Sequence, residues 1–243
     1  MKPLKSLLSY FKIVYTLLFQ VYKDYESRFF RKVLKRTPMK PWMREREIQI
    51  IQEILRKLEP ERVLEWGSGY SSLYFPQFLG KTNARWLSVE HDKDWYSQIT
   101  VMNQNPKVDI VYVPPNQYPF TDSDGTYADL KDYVDFPSQF EGYDFILVDG
   151  RARRDCLVKA YDLLRQGGVV VLHDANRTPY HEPFQIYPHQ ALFRDYRQSE
   201  GGGLWVGNKD TILDTIFDVK KHLTLWRIYH RFGNVIELRK LKN

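Results

Sequence analysis

The chain has 243 residues, of which 43% are hydrophobic and 15% aromatic, a length that predicts one domain of about 150–200 residues with extensions. Its only cysteine, Cys156, excludes a disulfide framework, and no spacing of Cys and His indicates a structural zinc site. The net charge of +6 is uneven: it sums to +8 over residues 1–40, to +4 over residues 211–243 and therefore to −6 between them. This charge distribution, a slightly acidic centre with two basic ends, bears on which partners the protein binds and not on its fold.

Residues 4–36 place apolar side chains at helical spacing and keep most Lys and Arg off that stripe, which predicts a basic amphipathic helix. Three interpretations stay open: packing on the domain or on a second subunit, lying on an anionic membrane surface, or spanning a bilayer as a signal anchor. The uncharged run 13–22 is shorter than the roughly 20 residues that a bilayer requires. No small-residue cleavage site follows it. We expect a cytoplasmic protein, at the inner face of a membrane if this helix binds one.

Two prolines, Pro38 and Pro41, cannot continue a helix, so the first domain boundary is placed at residue 40. The predicted divisions are a helical extension (1–40), a central domain (41–210) and a basic C-terminal segment (211–243). A second helix is expected over residues 44–58, with its apolar positions facing inward. These positions are Ile48, Ile51, Ile54, Leu55 and Leu58.

The first predicted strand runs through Glu65 into a glycine-rich turn that ends in two serines. Gly67 and Gly69 let a backbone turn tightly and approach a ligand without an intervening Cβ. Ser71 or Ser72 can cap the helix that follows, and the free N–H groups of that helix face the same crevice. The pattern is typical of a cofactor loop, although glycines at such a turn also serve packing alone.

A second strand over residues 85–89 ends at Glu90, 25 positions after Glu65. An acidic residue at this place in a doubly wound sheet can accept both ribose hydroxyls of a nucleoside. A third strand is expected over residues 108–113. Residues 116–142 then form a polar and aromatic insertion, longer than a simple connection, that fits either a lid or a dimer contact.

The fourth and fifth predicted strands each end in residues capable of chemistry. Residues 143–148 are apolar apart from Asp144 and lead to Asp149, and residues 169–172 lead to His173 and Asp174. Strands alternating with helices predict an α/β fold with a doubly wound, mostly parallel sheet. One more strand is expected over residues 203–207. Near the end of the chain, Gly233-Asn234 between two apolar runs predicts a C-terminal β-hairpin.

Together these motifs resemble the class I S-adenosylmethionine-dependent methyltransferases, over about residues 44–208. The resemblance rests on Glu-x-Gly-x-Gly-x-Ser at 65–71, on Glu90 and on the runs 143–150 and 163–174. A dinucleotide dehydrogenase would prefer a third glycine at position 72, where this chain has a serine. The resemblance implies a Rossmann-like fold with antiparallel last strands and S-adenosylmethionine (SAM) as cofactor. The implied cofactor-binding residues are Glu65, Gly67, Ser68, Gly69, Ser71, Ser72, Glu90, His91 and Asp149.

Methyl transfer from a sulfonium is an in-line displacement, so the protein has mainly to align the acceptor and remove its proton. The predicted catalytic residues are Asp149, His173 and Asp174. Metal-dependent relatives bind a divalent cation through acids at these two strand ends, with an Asn after the second. This chain has Ala175 there, so Asp149 and Asp174 are only candidate metal ligands. Without a metal, His173 or Asp149 is the general base.

Two further residues are candidate substrate contacts. Arg151, near Arg153 and Arg154, could hold an anionic acceptor such as a uronic acid or phosphate, or simply start a solvated helix. His181 lies in a segment that often covers the acceptor pocket in this family, and it could equally satisfy neighbouring backbone groups.

The leading functional prediction is SAM-dependent O-methylation of a small-molecule or glycan hydroxyl. The alternatives are a non-catalytic, membrane-peripheral module with this fold, a nucleic-acid methyltransferase and, as the weakest, a nicotinamide-dependent oxidoreductase. Nucleic acid is an unlikely partner because Asp149-Gly150-Arg151-Ala152 stands where base methyltransferases usually carry Asn/Asp-Pro-Pro-aromatic. The expected partners are a small-molecule or saccharide acceptor, a membrane surface through residues 4–36 and a second subunit.

Overall fold

The computed structural model describes residues 2–34, 39–195 and 201–240, and the side chains among them other than those of residues 2–10, 28, 31–32 and 232–240. Its strands form one sheet in the order β3-β2-β1-β4-β5-β7-β6. The strands are β1 (Arg62–Trp66), β2 (Arg85–Glu90), β3 (Val108–Tyr112), β4 (Tyr143–Val148), β5 (Leu164–His173), β6 (His189–Phe193) and β7 (Leu204–Asn208). The α-helices are α1 (Lys2–Lys32), α2 (Glu45–Leu58), α3 (Tyr70–Tyr74), α4 (Lys93–Met102), α5 (Lys131–Asp135), α6 (Arg153–Leu163) and α7 (Val219–Lys240).

The sheet is doubly wound and mostly parallel, as predicted. Strands β1 to β5 pair in parallel, whereas β7 runs antiparallel to both β5 and β6. The antiparallel last strands expected from the resemblance are therefore confirmed. Because β1 lies between β2 and β4, the chain winds outward in both directions from this point, and a crevice opens beyond the carboxyl ends of β1 and β4.

Helices cover both faces of the sheet, which is why the central strands are apolar on both sides. Helices α2 and α7 pack on one face, where Ile48, Ile51, Ile54 and Leu55 are fully buried, and Leu58 is partly buried. Helices α5 and α6 pack on the other face. The inward positions predicted for the second helix are thus confirmed.

The predicted C-terminal hairpin is wrong, because Gly233 and Asn234 lie inside the continuous helix α7. Its first turns carry a helical stripe, with His222, Trp226 and His230 buried. Asp218 accepts a hydrogen bond from the backbone N–H of Lys221 (2.9 Å) and caps the start of the helix. The stripe and the cap together favour a helix over the turn that Gly233-Asn234 suggested.

The antiparallel edge of the sheet is formed instead by β6 and β7. Strand β7 corresponds to the strand predicted at residues 203–207, whereas β6 was not predicted. Leu192 of β6 stands opposite Trp205 of β7, and Phe193 stands opposite Leu204. The pairing with β7 stabilises a segment whose own sequence has little strand pattern.

The insertion at residues 116–142 packs on the domain. Buried Asp129 accepts hydrogen bonds from the backbone N–H groups of Thr121 and Thr126 (2.9 and 2.8 Å). The side-chain hydroxyls of these two threonines also donate to Asp129. Asp124 accepts from the N–H of Arg153 (3.0 Å) at the start of α6. A lid or a dimer contact stays a prediction for this insertion.

Helix α1 confirms the predicted N-terminal amphipathic helix and packs on α2 and α7 through one face. Asp24 on this face accepts hydrogen bonds from the Glu45 N–H (2.8 Å) and the Tyr229 hydroxyl (3.3 Å). None of the helices in the described ranges has the length and apolar character that crossing a bilayer requires. Residues 35–38, including Pro38 of the predicted break, lie outside the described residues, and the three-part domain division stays a prediction.

Candidate active site

A cleft of about 520 Å³ opens at the carboxyl ends of the parallel strands, where the sequence predicted a ligand site. Its wall includes Gly67, Ser68 and Ser71 after β1, and Glu90 with His91 after β2. Asp149 and Arg151 after β4, and His173 with Asp174 after β5, complete it. Four strand ends therefore share one cleft, and its volume lies in the usual range for small-molecule sites.

The turn after β1 requires glycine at position 67. Gly67 has φ +93°, and a Cβ there would lie 2.4 Å from Cα of Gly150. The Asp149 N–H donates to the Trp66 carbonyl (2.9 Å), so the turns after β1 and β4 are in direct contact. Gly69 differs, because its φ of 175° is extended backbone that any residue can adopt. Of these two glycines, only Gly67 has a backbone conformation that requires glycine.

Glu65 lies beneath this turn rather than in the cleft, and it is fully buried. Its carboxylate accepts hydrogen bonds from the hydroxyls of Ser71, Ser72 and Ser88 and from the Trp86 indole. Burial raises the pKa of Glu65 to about 7, against these hydrogen bonds, which lower it. The structure therefore gives Glu65 and buried Ser72 a supporting place under the loop after β1, while Ser71 reaches the cleft.

Glu90 holds the other wall of the predicted cofactor site, and its carboxylate is almost completely buried. One oxygen accepts from the N–H (2.8 Å) and hydroxyl (3.0 Å) of Ser68. The other accepts from the N–H groups of His91 and Asp92, at 2.9 Å each. A carboxylate has about four acceptor positions, so Ser68 occupies two of the positions that ribose hydroxyls could use.

His173 is surrounded by carboxylates. Its Nδ1 lies 2.8 Å from Oδ1 of Asp149, and its Nε2 lies 3.7 Å from Glu47 and 3.9 Å from Asp174. Burial lowers the pKa of His173, but the charge and hydrogen bond of Asp149, together with Glu47 and Asp174, raise it well above 6.5. For Asp174, burial raises the pKa, because the charged form is now the carboxylate. The positive charges of His173 and Arg153 outweigh burial and bring the pKa of Asp174 to about 2. The structure thus brings the three predicted catalytic residues together.

The three arginines after β4 occupy different environments. Arg153 is buried and lies between Asp149 and Asp174, with a guanidinium nitrogen 3.4 Å from each carboxylate. Arg154 is exposed and pairs with Glu182. Arg151 lines the cleft, as expected of a substrate contact. His181 does not line the cleft, because its Nε2 lies 2.8 Å from the Ala175 carbonyl and its ring stacks on Phe184.

Sequence reasoning missed Glu47, the residue that faces His173 from helix α2. Glu47 is buried, and its carboxylate accepts from the N–H groups of Arg44 (2.6 Å) and Gly203 (3.0 Å). The sequence feature that could have indicated Glu47 is its position next to Ile48, on the buried face of an amphipathic helix. Such a carboxylate requires buried partners.

Three aromatic side chains form another part of the wall that was not predicted. Trp42, Tyr70 and Trp95 lie with ring centroids 6.0–6.2 Å apart at one rim of the cleft. The Trp95 indole donates to the Ser68 carbonyl (2.7 Å), while Trp42 is largely exposed. The rim therefore offers aromatic faces beside the loop after β1, which suit an apolar ring face.

Comparisons with known proteins address the fold. No family model and no curated protein matches the chain. Among solved structures, it is similar to a methyltransferase-like protein from Silicibacter pomeroyi, with 20% identity over 77% of this chain and 99% of the other, and a TM-score of 0.50.

Two further structures are O-methyltransferases with bound cofactor or product. TomG from Streptomyces achromogenes, involved in tomaymycin synthesis and solved with SAM, shares 16% identity over 76% of this chain and 88% of its own, with a TM-score of 0.51. The Bacillus cereus enzyme, solved with SAH, shares 16% identity over 74% and 94%, with a TM-score of 0.50. The strand order and these similarities together show that the chain has the class I methyltransferase fold.

Proposed function

We propose that the protein is a SAM-dependent methyltransferase that acts on a hydroxyl group of a small-molecule acceptor. The observation that carries this proposal is the Asp149–His173 pair, which opens into the same cleft as the buried carboxylate of Glu90. A base and a nucleoside-binding acid on one cleft are what O-methylation requires. The fold and the cofactors bound by the similar structures support the same function.

The cleft residues fit the cofactor. Glu90 would accept a ribose hydroxyl in the position that the Ser68 hydroxyl now occupies, and the turn at Gly67–Gly69 would hold the amino-acid end. When bound, SAM supplies an electrophilic methyl group whose carbon–sulfur bond breaks as the bond to the acceptor oxygen forms. Burial keeps Glu65 from direct contact, so we assign it to the support of the turn.

His173 would take the acceptor proton. Nδ1 protonated toward Asp149 leaves the lone pair of Nε2 to accept the hydroxyl proton as the oxygen attacks. The surrounding carboxylates hold the pKa of His173 well above 6.5, so the imidazolium must first lose its proton. A cationic cofactor in the same cleft would lower the pKa of His173 and favour the neutral ring, because two positive charges repel each other.

The acceptor that best fits the remaining wall carries a ring and an anionic group. Trp42, Tyr70 and Trp95 provide faces for a sugar or an aromatic ring, and Arg151 provides a bidentate partner for a carboxylate. These features support the finer proposal of a saccharide acceptor such as a uronic acid. Methyl transfer to glucuronides, compared with the matching neutral glycosides, tests this specificity, and equal rates would count against it.

Calorimetric titration with SAM tests the cofactor site. We expect wild-type protein to bind and Glu90→Ala to bind about tenfold more weakly or worse, since a hydrogen bond to a charged group is lost. Ser68→Ala is the matched control, because it removes the competing hydroxyl and should bind as well as wild type or better. Equal affinity of the wild type and Glu90→Ala would contradict the proposal.

A second measurement separates the alternatives. Radiolabelled methyl transfer to fractionated cell extract is expected of the enzyme and would be absent for a non-catalytic, membrane-peripheral module. Binding of NADH without binding of SAM would instead revive the nicotinamide-dependent oxidoreductase. Labelled nucleic acid in the extract would identify a nucleic-acid methyltransferase.

A further inference from the structure

The buried guanidinium of Arg153 lies where two strand ends meet. Arg153 begins α6 directly after the turn that follows β4, and its side chain reaches across to β5. Its Nη2 is 3.4 Å from Oδ1 of Asp149, and its Nη1 is 3.4 Å from Oδ2 of Asp174. These are the two carboxylates that a metal-dependent methyltransferase of this fold would use to bind a cation.

Five oxygen atoms surround this guanidinium, which has five N–H groups. Besides the two carboxylates, Nε donates to the Gly150 carbonyl (2.9 Å), Nη1 to the His173 carbonyl (2.8 Å) and Nη2 to the Asp149 carbonyl (3.2 Å). The partners come from the ends of both β4 and β5. Arg153 is therefore a built-in part of the site: four of its N–H groups are hydrogen bonded, and its charge pairs with both carboxylates.

The carboxylates offer little to a divalent cation in this arrangement. Magnesium and calcium need six or more oxygen ligands at about 2.0–2.6 Å. Oδ1 of Asp149 is already held by His173, and Oδ1 of Asp174 accepts the Gly202 N–H (2.6 Å). The next residue, Ala175, has no ligating atom, and the side-chain amide of Asn176 binds the backbone of Asp195.

Among the described residues, no group of three or more His, Cys, Asp or Glu side chains is placed to hold a metal ion. The metal predicted for Asp149 and Asp174 therefore does not fit this donor set.

We propose that Arg153 takes the place of the divalent cation: its fixed positive charge pairs with Asp149 and Asp174 and makes the site independent of metal. Arg153 is a positioning residue, because it acts by holding Asp149 against His173 and by joining the ends of β4 and β5. The part of this proposal that concerns methyl transfer rests on the proposed function, whereas the exclusion of metal concerns the site itself.

Electron paramagnetic resonance of Mn²⁺ tests the exclusion without any assay of activity. Wild-type protein at millimolar Mn²⁺ should show only the free-ion signal. Arg153→Ala, checked by circular dichroism for folding, leaves two carboxylates without their cation and should bind Mn²⁺, seen as loss of part of the free-ion signal at the same concentration. The double variant Arg153→Ala/Asp174→Asn is the control and should lose this gain.

Binding of Mn²⁺ by the wild type, lost in Asp149→Asn, would overturn the proposal, and so would an Arg153→Ala protein that folds and gains no Mn²⁺ affinity. If Arg153→Ala does not fold, the wild-type titration alone still decides whether metal is excluded. Arg153→Lys keeps the charge with fewer donors, so it should still exclude Mn²⁺ while melting at a lower temperature.

The consequence for catalysis is tested separately with the active enzyme. Methyl transfer should be unchanged by EDTA and by added Mg²⁺, and a rate that falls with EDTA and returns with metal would contradict metal independence. Absence of methyl transfer under all conditions would count against the proposed function and would leave the Mn²⁺ result standing on its own.

Discussion

The charge around His173 determines the pH at which this side chain can accept a proton. Asp149, Glu47 and Asp174 all lie within 4 Å of its ring nitrogens, and Arg153 donates to the His173 carbonyl (2.8 Å). The carboxylates stabilise the imidazolium, so the pKa is raised well above 6.5 although burial opposes this. A general base with a raised pKa is active only at the alkaline side of that pKa.

We therefore expect the kcat/KM of methyl transfer to rise as pH increases above about 6.5. His173→Gln keeps a hydrogen-bonding side chain but cannot take a proton, so it should lower kcat by about 10²–10⁴-fold and remove the rise with pH. His189→Gln, on edge strand β6, is the control and should keep the wild-type profile. A wild-type rate that is independent of pH between about 6 and 9 would contradict a titrating base.

At the residue scale, the location of a site residue could be predicted where that residue directly follows a strand. The carboxyl ends of parallel strands meet at one edge, so Glu90, Asp149, His173 and Asp174 could be grouped from strand order alone. Glu47 and Arg153 could not be placed in this way, because their positions depend on how a helix face and a long side chain pack. Glu65 shows the converse error, since the motif marks the loop but not which of its side chains reach the cleft.

At the scale of single elements, helix α1 has one buried face and one exposed face. Leu17, Gln20 and Asp24 are buried against the domain, whereas a stripe on the other face is exposed. The stripe consists of Phe11, Tyr15, Leu18, Tyr22, Tyr25 and Phe29. Aromatic side chains beside Lys12 and Lys23 on a basic segment favour contact with an anionic membrane surface.

We expect the full chain to sediment with vesicles that contain phosphatidylglycerol and to remain in solution with neutral phosphatidylcholine vesicles. Leu18→Glu/Tyr22→Glu removes apolar area and adds negative charge, so it should weaken binding about tenfold or more. Val101→Glu, at an exposed position of α4, is the control and should bind normally. Unchanged vesicle binding would contradict membrane contact through this face, and a dimer that the double variant dissociates would assign the face to a second subunit.

Elements were predictable where the pattern of apolar residues has only one interpretation. Central strands β1, β4 and β5 and helix α2 were predicted because their buried faces are continuous. In the C-terminal segment, a local turn motif competed with a helical stripe, and packing of Trp226 on the domain decided for the helix. Strand β6 depends on its neighbour β7, which no local pattern reveals.

For the whole molecule, the buried Glu65 under the loop after β1 links stability to pH. Glu65 has a pKa of about 7 in the folded protein because burial disfavours its charged form, against 4.5 for an ordinary glutamate. Between these pH values the folded state binds more protons than the unfolded state, so the free energy of unfolding falls as pH rises. His173, whose folded pKa is also raised, adds a further loss above about pH 6.5.

Urea unfolding should therefore show a free energy of unfolding that decreases from about pH 5 to about pH 8. Glu65 accounts for up to about 3 kcal/mol of the loss, since each unit of pKa shift corresponds to about 1.4 kcal/mol. Glu65→Gln keeps the side-chain volume and cannot ionise, so its stability should fall much less over this range, with the remaining slope due to His173. Glu141→Gln, which changes an exposed carboxylate, should keep the wild-type slope. A Glu65→Gln protein that retains the full wild-type slope would show that this carboxyl does not carry the pH dependence of the fold.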